Sequence, residues 1–218
     1  NVLRLNKFNL SVTDIENECY KIRENRNLII PKYSNVTKFR ICVHEIGHAL
    51  MCFLLNGRGS LNKVCLTLYS PNIPGFTVYN RNYIGLSSYN DLKKDLVILL
   101  SGKNCEKIFF KEGSSTGCLD DINKAKQLAN NILLEYSMGD TLYNPIGDDS
   151  KNKFSKDVED LLNQADKYSL NALNKSVRCI NELANLLYSK QIILGDEFES
   201  IILNNYSYIF NTIDLSLP

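Results

Sequence analysis

The 218-residue chain contains no tryptophan, two methionines and only two histidines. It also lacks a long apolar run: the longest candidates, Ala49–Leu55 and Leu96–Leu100, are far shorter than the roughly 18 residues that a membrane-spanning helix needs. No signal peptide is visible. Because the sequence starts at Asn1 rather than at methionine, we expect it to be an excised or processed piece. Any membrane attachment is then expected from a region outside this chain.

The chain also lacks an excess of charge of either sign, with 25 Lys and Arg against 24 Asp and Glu. This balance argues against nucleic-acid binding, which relies on clustered basic side chains. The seven cysteines are scattered, odd in number and without a C-x-x-C pair. Such a distribution argues against a disulfide framework and predicts a soluble protein of a reducing compartment.

Both histidines occur in one five-residue string, His44-Glu45-Ile46-Gly47-His48, which fits H-E-x-x-H. A helix places residues four apart on one face, so both imidazoles would point the same way. Zinc is commonly bound by imidazole nitrogen, and a catalytic zinc has three protein ligands and one open position. Glu45 would then be the general base for the attacking water. The alternative is a chance string within a buried helix, but the motif accounts for every histidine of the chain.

Hydrophobic periodicity and cap signals predict mainly helical structure. The predicted helices cover 9–24, 37–55, 88–110, a segment from Asp120 or Asp121 to about 138, 154–189 as one helix or two, and 195–203. Alternation predicts strands at 61–70 and 76–79. Gly102 is expected to interrupt its helix softly, and 139–152 is expected to be a surface loop. These elements predict a mainly α fold with a small β-sheet, of the α+β class.

The third metal ligand is not evident from spacing. No Asp, Glu or His occurs between Ala49 and Asn90, which excludes a third histidine six residues on and a glutamate about twenty residues on. The carboxylates that follow are Asp91, Asp95, Glu106, Glu112, Asp120, Asp121 and Glu135. Spacing leaves Asp121, Asp120 and Glu106 as close competitors. The two aspartates also fit a helix cap, and Glu106 could instead orient a ligating histidine.

Several segments, in this order and approximate spacing, resemble the FtsH-type AAA metalloproteases. They are His44-Glu-Ile-Gly-His-Ala-Leu50, Pro74-Gly-Phe-Thr-Val-Tyr79, Leu100-Ser-Gly-Lys-Asn-Cys-Glu106, Ser115-Thr-Gly-Cys-Leu-Asp-Asp-Ile122, Glu135-Tyr-Ser-Met138 and Ile192-Leu-Gly-Asp-Glu-Phe-Glu199. The resemblance implies that Asp121 is the third zinc ligand and that Glu106 is structural or orients a ligand. Ile46, Ser101 and Asp120 depart from the family pattern, but none removes a group that the reaction needs.

The resemblance also implies an architecture and an activity. We expect a zincin-like core around the H-E-x-x-H helix, followed by a C-terminal helical bundle. Residues 1–35 would be a connecting segment that could include the end of an AAA lid subdomain, 36–204 would form the zinc metalloprotease domain, and 205–218 would be an irregular tail. The expected reaction is endopeptidase cleavage of unfolded or membrane-protein substrates with one zinc ion per chain. An extended substrate could pair with the strand at Phe76–Tyr79.

The family further implies a hexamer and a full-length protein at a bacterial inner membrane or an organelle membrane. ATP would act only through an upstream domain, because no G-x-x-x-x-G-K-[ST] string occurs here. Two alternatives remain open at this point. One is an inactive, substrate-holding or assembly domain with a structural zinc, against which the intact Glu45 argues. The other is a free-standing zinc peptidase that has no ATPase partner.

Overall fold

The structure is a computed structural model that describes residues 33–67, 74–80, 85–139, 142–143 and 148–214. The helix predicted at 9–24 and nearly all of the predicted connecting segment lie outside the described residues. The fold is therefore described from Tyr33 onward, which includes every predicted site residue.

The H-E-x-x-H motif lies in the first described helix, α1 (Asn35–Asn56). The helix begins behind Ser34, whose hydroxyl accepts a hydrogen bond from the backbone nitrogen of Thr37 at 3.1 Å. It ends before Gly57, whose φ of 78° is readily adopted only by glycine. Every residue from Cys42 to Leu55 is buried. The motif is thus held in a helix that other elements surround on all sides.

The sheet has three antiparallel strands: β1 (Leu61–Leu66), β2 (Gly75–Tyr79) and β3 (Ile192–Leu194). Their order is β2-β1-β3, so β1 is central and β2 is an edge strand of this sheet. The first two strands match the two predicted strands, although β1 ends at Leu66. The third strand comes from the far end of the chain and was not predicted as a strand.

The other helices are α2 (Tyr89–Phe109), α3 (Leu119–Asn130), α4 (Asp148–Asn174), α5 (Val177–Lys190), α6 (Gly195–Asn205) and α7 (Ile209–Thr212). The predicted class, mainly α with a small β-sheet, is confirmed. The 154–189 segment belongs to two helices. The helix predicted from Asp120 or Asp121 to about 138 consists of α3 followed by a π-helical turn at Asn131–Glu135, and a 3₁₀ turn at Thr116–Cys118 precedes it.

Gly102 does not interrupt α2, so the predicted break there is wrong. A Cβ atom at position 102 would lie 2.5 Å from both His44 Cε1 and His48 Nε2. Across the same interface, a Cβ at Gly47 would lie 2.8 Å from the Ser101 carbonyl oxygen. Glycine is therefore present because α1 and α2 approach closely at the motif, not because the helix ends.

The core is continuous around α1, which contacts α2, α5, β1 and β2. The segment predicted to be an irregular tail includes one helical turn, α7, and both Ile209 and Ile213 are buried in the core. The ring of Phe210 packs edge-on against Phe53 of α1. Within the described part of the chain, no helix has the length and hydropathy needed to cross a membrane.

Candidate metal centre

His44 and His48 lie one turn apart on the face of α1 that meets α2. Their Nε2 atoms are 3.0 Å apart and their rings cross at 74°. Both side chains are buried, with 9% and 8% of the residue surface exposed. The i, i+4 spacing of the motif therefore brings two imidazole nitrogens to one point, as expected for this helical spacing.

The outer nitrogen of each ring has an acceptor. His48 Nδ1 donates to the carbonyl oxygen of Ile98 at 2.7 Å, and His44 Nδ1 donates to Glu106 Oε1 at 3.0 Å. Burial alone would raise the pKa of Glu106, but hydrogen bonds from His44, Arg40, Cys118 and Ser115 lower this pKa to about 2. Because a carbonyl and a carboxylate only accept, both Nδ1 atoms carry the proton. In the neutral rings, both Nε2 atoms then present lone pairs.

Asp121, on the first turn of α3, brings a third donor atom to the same point. Its Oδ2 lies 3.1 Å from His44 Nε2 and 3.3 Å from His48 Nε2. Tetrahedral zinc with bonds of about 2.05 Å holds its ligand atoms about 3.3 Å apart. Two imidazole lone pairs and one carboxylate oxygen at these separations repel one another unless a proton or a metal ion lies between them. The residues present therefore fit a zinc ion.

The charges around this triangle also favour a cation. Burial would raise the pKa of Asp121, but the hydrogen bonds and charges of His44 and His48 keep it well below its usual range. Burial would lower the pKa of His44, whereas its bonds with Asp121, Cys118 and Glu106 raise it well above the usual value. A proton and a metal ion therefore compete for the same Nε2 lone pair of His44.

The Glu45 side chain contacts the sheet at β2. Its Oε2 accepts a hydrogen bond from Thr77 Oγ1 at 2.9 Å, and only 8% of the residue is exposed. Gly75, at the start of β2, leaves room for this side chain, since a Cβ there would lie 2.9 Å from Glu45 Cγ. The edge strand and the glutamate of the motif are therefore direct neighbours.

The remaining predicted site residues have different positions. Glu106 lies behind His44, on the side opposite Asp121. The Asp120 side chain is 76% exposed and forms an ion pair with Lys124 at 2.6 Å. The structure thus brings His44, His48 and Asp121 together at Nε2 and Oδ2, with Glu106 at the back of His44. It does not bring Asp120 to this group.

Sequence reasoning missed three side chains around the centre: Arg40, Thr77 and Cys118. Cys118 Sγ lies 3.2 Å from Glu106 Oε1 and 3.7 Å from His44 Nδ1. Among the described residues, His44, Glu106 and Cys118 therefore form a second group of side chains that could bind a metal ion. The i−4 spacing of Arg40 from His44 was the one visible signal for any of the three, because it places both side chains on the same helix face.

The buried helix with two motif histidines and the facing aspartate are typical of metallopeptidases, and comparison with known proteins supports this class. The model of peptidase family M41 matches residues 32–153, which is more than half of the chain. The chain therefore belongs to peptidase family M41, as an FtsH-type peptidase domain.

Curated relatives carry the same assignment. The chain is 24% identical to the ATP-dependent zinc metalloprotease FtsH of Clostridium perfringens, in a match that covers 84% of this chain and 28% of that protein. It is also 24% identical to the proteins of that name from Ruminiclostridium cellulolyticum and Methylococcus capsulatus. Each of those matches covers 92% of this chain, with 36% and 34% of the two relatives. The chain thus spans about a third of the length of these relatives.

Proposed function

We propose that this chain is a zinc-dependent endopeptidase domain in which His44, His48 and Asp121 hold the metal. The observation that carries the proposal is the triangle of Nε2, Nε2 and Oδ2 atoms, whose sides of 3.0, 3.1 and 3.3 Å suit tetrahedral zinc. The three atoms lie on partly buried or buried side chains of the type that zinc binds. The names of the curated relatives support zinc in particular.

Zinc, when bound here, supplies Lewis-acid polarisation of a peptide carbonyl and lowers the pKa of water. The residues of the chain transfer the proton and orient the reacting groups. Glu45 takes a proton from the attacking water and delivers it to the nitrogen of the leaving amine. Thr77 holds the Glu45 carboxylate on the side of the edge strand. Glu106 and the Ile98 carbonyl keep the two imidazole rings in one orientation and one tautomer.

We place the polypeptide substrate along β2. This strand is at the edge of the three-stranded sheet, and it contacts the α1 helix next to Glu45. An extended peptide could add to that edge by backbone hydrogen bonds, which fits unfolded segments of any sequence. Unfolded or membrane-protein substrates, a hexameric ring and an upstream AAA ATPase that delivers the substrate are parts of this proposal. Their support is the printed name of the relatives, ATP-dependent zinc metalloprotease.

The test combines metal analysis with cleavage of casein and a fluorogenic peptide, for the unchanged chain and for Glu45→Gln. We expect about one zinc per chain in both proteins. Cleavage should fall by about 10²- to 10⁴-fold in Glu45→Gln, the range that a general base contributes. Unchanged cleavage would exclude Glu45 as the base. Zinc without cleavage in the unchanged chain would favour a structural or assembly role instead.

A further inference from the structure

Arg40 lies on α1 one turn before His44, and its side chain reaches the C-terminal end of α2. Nη1 donates to Glu106 Oε2 at 3.0 Å and to the Gly113 carbonyl oxygen at 2.8 Å, while Nη2 donates to Glu112. The guanidinium carbon lies 4.0 Å from the centre of the Phe110 ring. The planar guanidinium group of Arg40 is therefore held by hydrogen bonds along its edge and by the Phe110 ring against its face.

The Glu106 carboxylate is the common acceptor between Arg40 and the metal centre. Only 1% of the Glu106 side chain is exposed. Its Oε1 accepts from His44 Nδ1, Ser115 Oγ and Cys118 Sγ, and its Oε2 accepts from Arg40 Nη1 and the Ser115 backbone nitrogen. Among these donors, Arg40 is the one that is permanently charged. A buried carboxylate that carries charge needs such a partner to remain in place.

We propose that Arg40 is a positioning residue for the metal centre and that it acts through Glu106. Arg40 and His44 lie on the same face of α1, so Glu106 bridges two successive turns of that helix. This bridge fixes the plane of the His44 ring with its proton on Nδ1. The Nε2 lone pair is then aimed at the position that it shares with His48 and Asp121.

The same guanidinium also anchors the segment that leads to the third donor. Arg40 holds the Gly113 carbonyl, and Glu106 holds both the backbone and the hydroxyl of Ser115. Ser115 in turn caps the 3₁₀ turn that directly precedes α3 and Asp121. One side chain of α1 thus fixes the orientation of His44 and the start of the segment that carries Asp121. This inference rests on the proposed function, because it assumes a metal at the triangle.

The first measurement is the apparent zinc affinity of the full chain, obtained by competition with a chromophoric chelator. Arg40→Gln keeps much of the side-chain stem but loses the charge and the planar fork. We expect it to weaken zinc binding about tenfold or more, in the range known for residues that orient metal ligands. Arg40→Lys keeps the charge and should recover part of the loss. The matched control is Arg178→Gln, at an exposed arginine of α5, which should bind zinc like the unchanged chain.

A double-mutant cycle separates positioning from a general effect on folding. If Arg40 acts mainly through Glu106, then Arg40→Gln should reduce zinc affinity much less in a Glu106→Gln background than in the unchanged chain, and the remaining loss measures the contact of Arg40 with the Gly113 carbonyl oxygen. The visible spectrum of the cobalt-substituted protein gives a second readout, since it reports ligand geometry. It should shift in Arg40→Gln and return toward the original in Arg40→Lys. Should Arg40→Gln fail to fold, Arg40→Lys and its combination with Glu106→Gln provide the same comparison.

Two results would overturn the inference. The first is that both Arg40 variants keep the zinc affinity and the cobalt spectrum of the unchanged chain. The second is that the fold-loss of zinc affinity in the double variant equals the product of the losses in Arg40→Gln and Glu106→Gln. The failure of the proposed function looks different. An unchanged chain that binds no zinc overturns both ideas. If the unchanged chain binds zinc and cleaves casein while the Arg40 variants behave identically, only the role of Arg40 is refuted.

Discussion

Thr77 on β2 donates its hydroxyl hydrogen to Glu45: Thr77 Oγ1 lies 2.9 Å from Glu45 Oε2 and 3.1 Å from the Glu45 backbone oxygen. A hydroxyl has one hydrogen to share between these two acceptors. Both acceptors belong to the same residue of α1, so the bond joins the edge strand to the motif glutamate in either arrangement. This hydrogen bond therefore connects the strand proposed to bind the substrate directly to the residue proposed as general base.

Removal of this hydroxyl should slow cleavage without loss of zinc. Thr77→Val keeps the shape of the side chain but cannot donate to Glu45. A hydrogen bond to a charged group contributes about 1.5–3 kcal/mol, so we expect kcat to fall about tenfold or more while KM changes little. Peptide cleavage with metal analysis tests this expectation. Thr77→Ser, which retains the hydroxyl, should recover most of kcat, and a Thr77→Val variant that turns over at the original rate would refute it.

The two neighbouring aspartates should differ sharply when each is changed to asparagine. Asp121 Oδ2 lies beside both Nε2 atoms, whereas Asp120 is exposed and paired with Lys124. We expect Asp121→Asn to weaken zinc binding about 100-fold or more, at the upper end of the effect of residues that only orient ligands. Asp120→Asn serves as the matched control and should keep the original affinity. The reverse order would show that the third ligand has been assigned to the wrong aspartate.

Gly102→Ala should damage the metal centre although alanine favours helix. The added methyl would lie 2.5 Å from His44 Cε1 and from His48 Nε2, so at least one ring must move. We expect a loss of zinc affinity of about tenfold or more together with loss of cleavage, and retained helical circular dichroism. Lys107→Ala, at an exposed position of the same helix, is the control. Normal zinc binding in Gly102→Ala would mean that the two helices can separate without effect on the ligands.

The N-terminus of α2 offers a prediction on stability and pH. Ser88 and Asp91 form a capping box, and hydrogen bonds from Ser88 lower the pKa of Asp91. Ser88→Ala should lower the free energy of unfolding by about 1 kcal/mol at neutral pH. Because the pKa of Asp91 is lowered in the folded chain, ionised Asp91 stabilises the fold at pH values above the ordinary aspartate pKa of about 3.9. This contribution is lost as the pH falls through the lowered pKa.

The difference between Ser88→Ala and the unchanged chain should accordingly shrink in acid. Urea unfolding at several pH values measures it, with Ser87→Ala as the neighbouring control. A difference that grows as the pH falls would contradict the assigned hydrogen bonds.

Much of the fold could be predicted because its signals are local. The apolar run of α1 and the glycine at position 57 define one helix in sequence, and the histidine spacing defines which of its faces is functional. The third donor could not be chosen in that way. Spacing left Asp121, Asp120 and Glu106 equal, because separation along the chain does not fix separation in space. The family resemblance favoured Asp121, and the structure places that residue at the triangle.

Other features were missed for specific physical reasons. A glycine within a helical pattern usually indicates a point where the helix is less stable or ends. The sequence does not show that Gly102 instead faces two imidazole rings. β3 is three residues long, too short for alternation to appear, and its pairing partner lies far away along the chain. Arg40 was overlooked because its acceptor, Glu106, belongs to another helix.

The pairing of β3 with β1 also determines the order in which the molecule can be completed. β1 pairs through residues 63–65 with residues 192–194, whereas all three proposed ligands lie before residue 122. During synthesis, the ribosome therefore releases the ligands well before the strand that completes the sheet beside β1. Contacts that distant along the chain form slowly. The sheet whose edge lies beside Glu45 thus gains its last strand late, after the residues of the proposed metal centre have been synthesised.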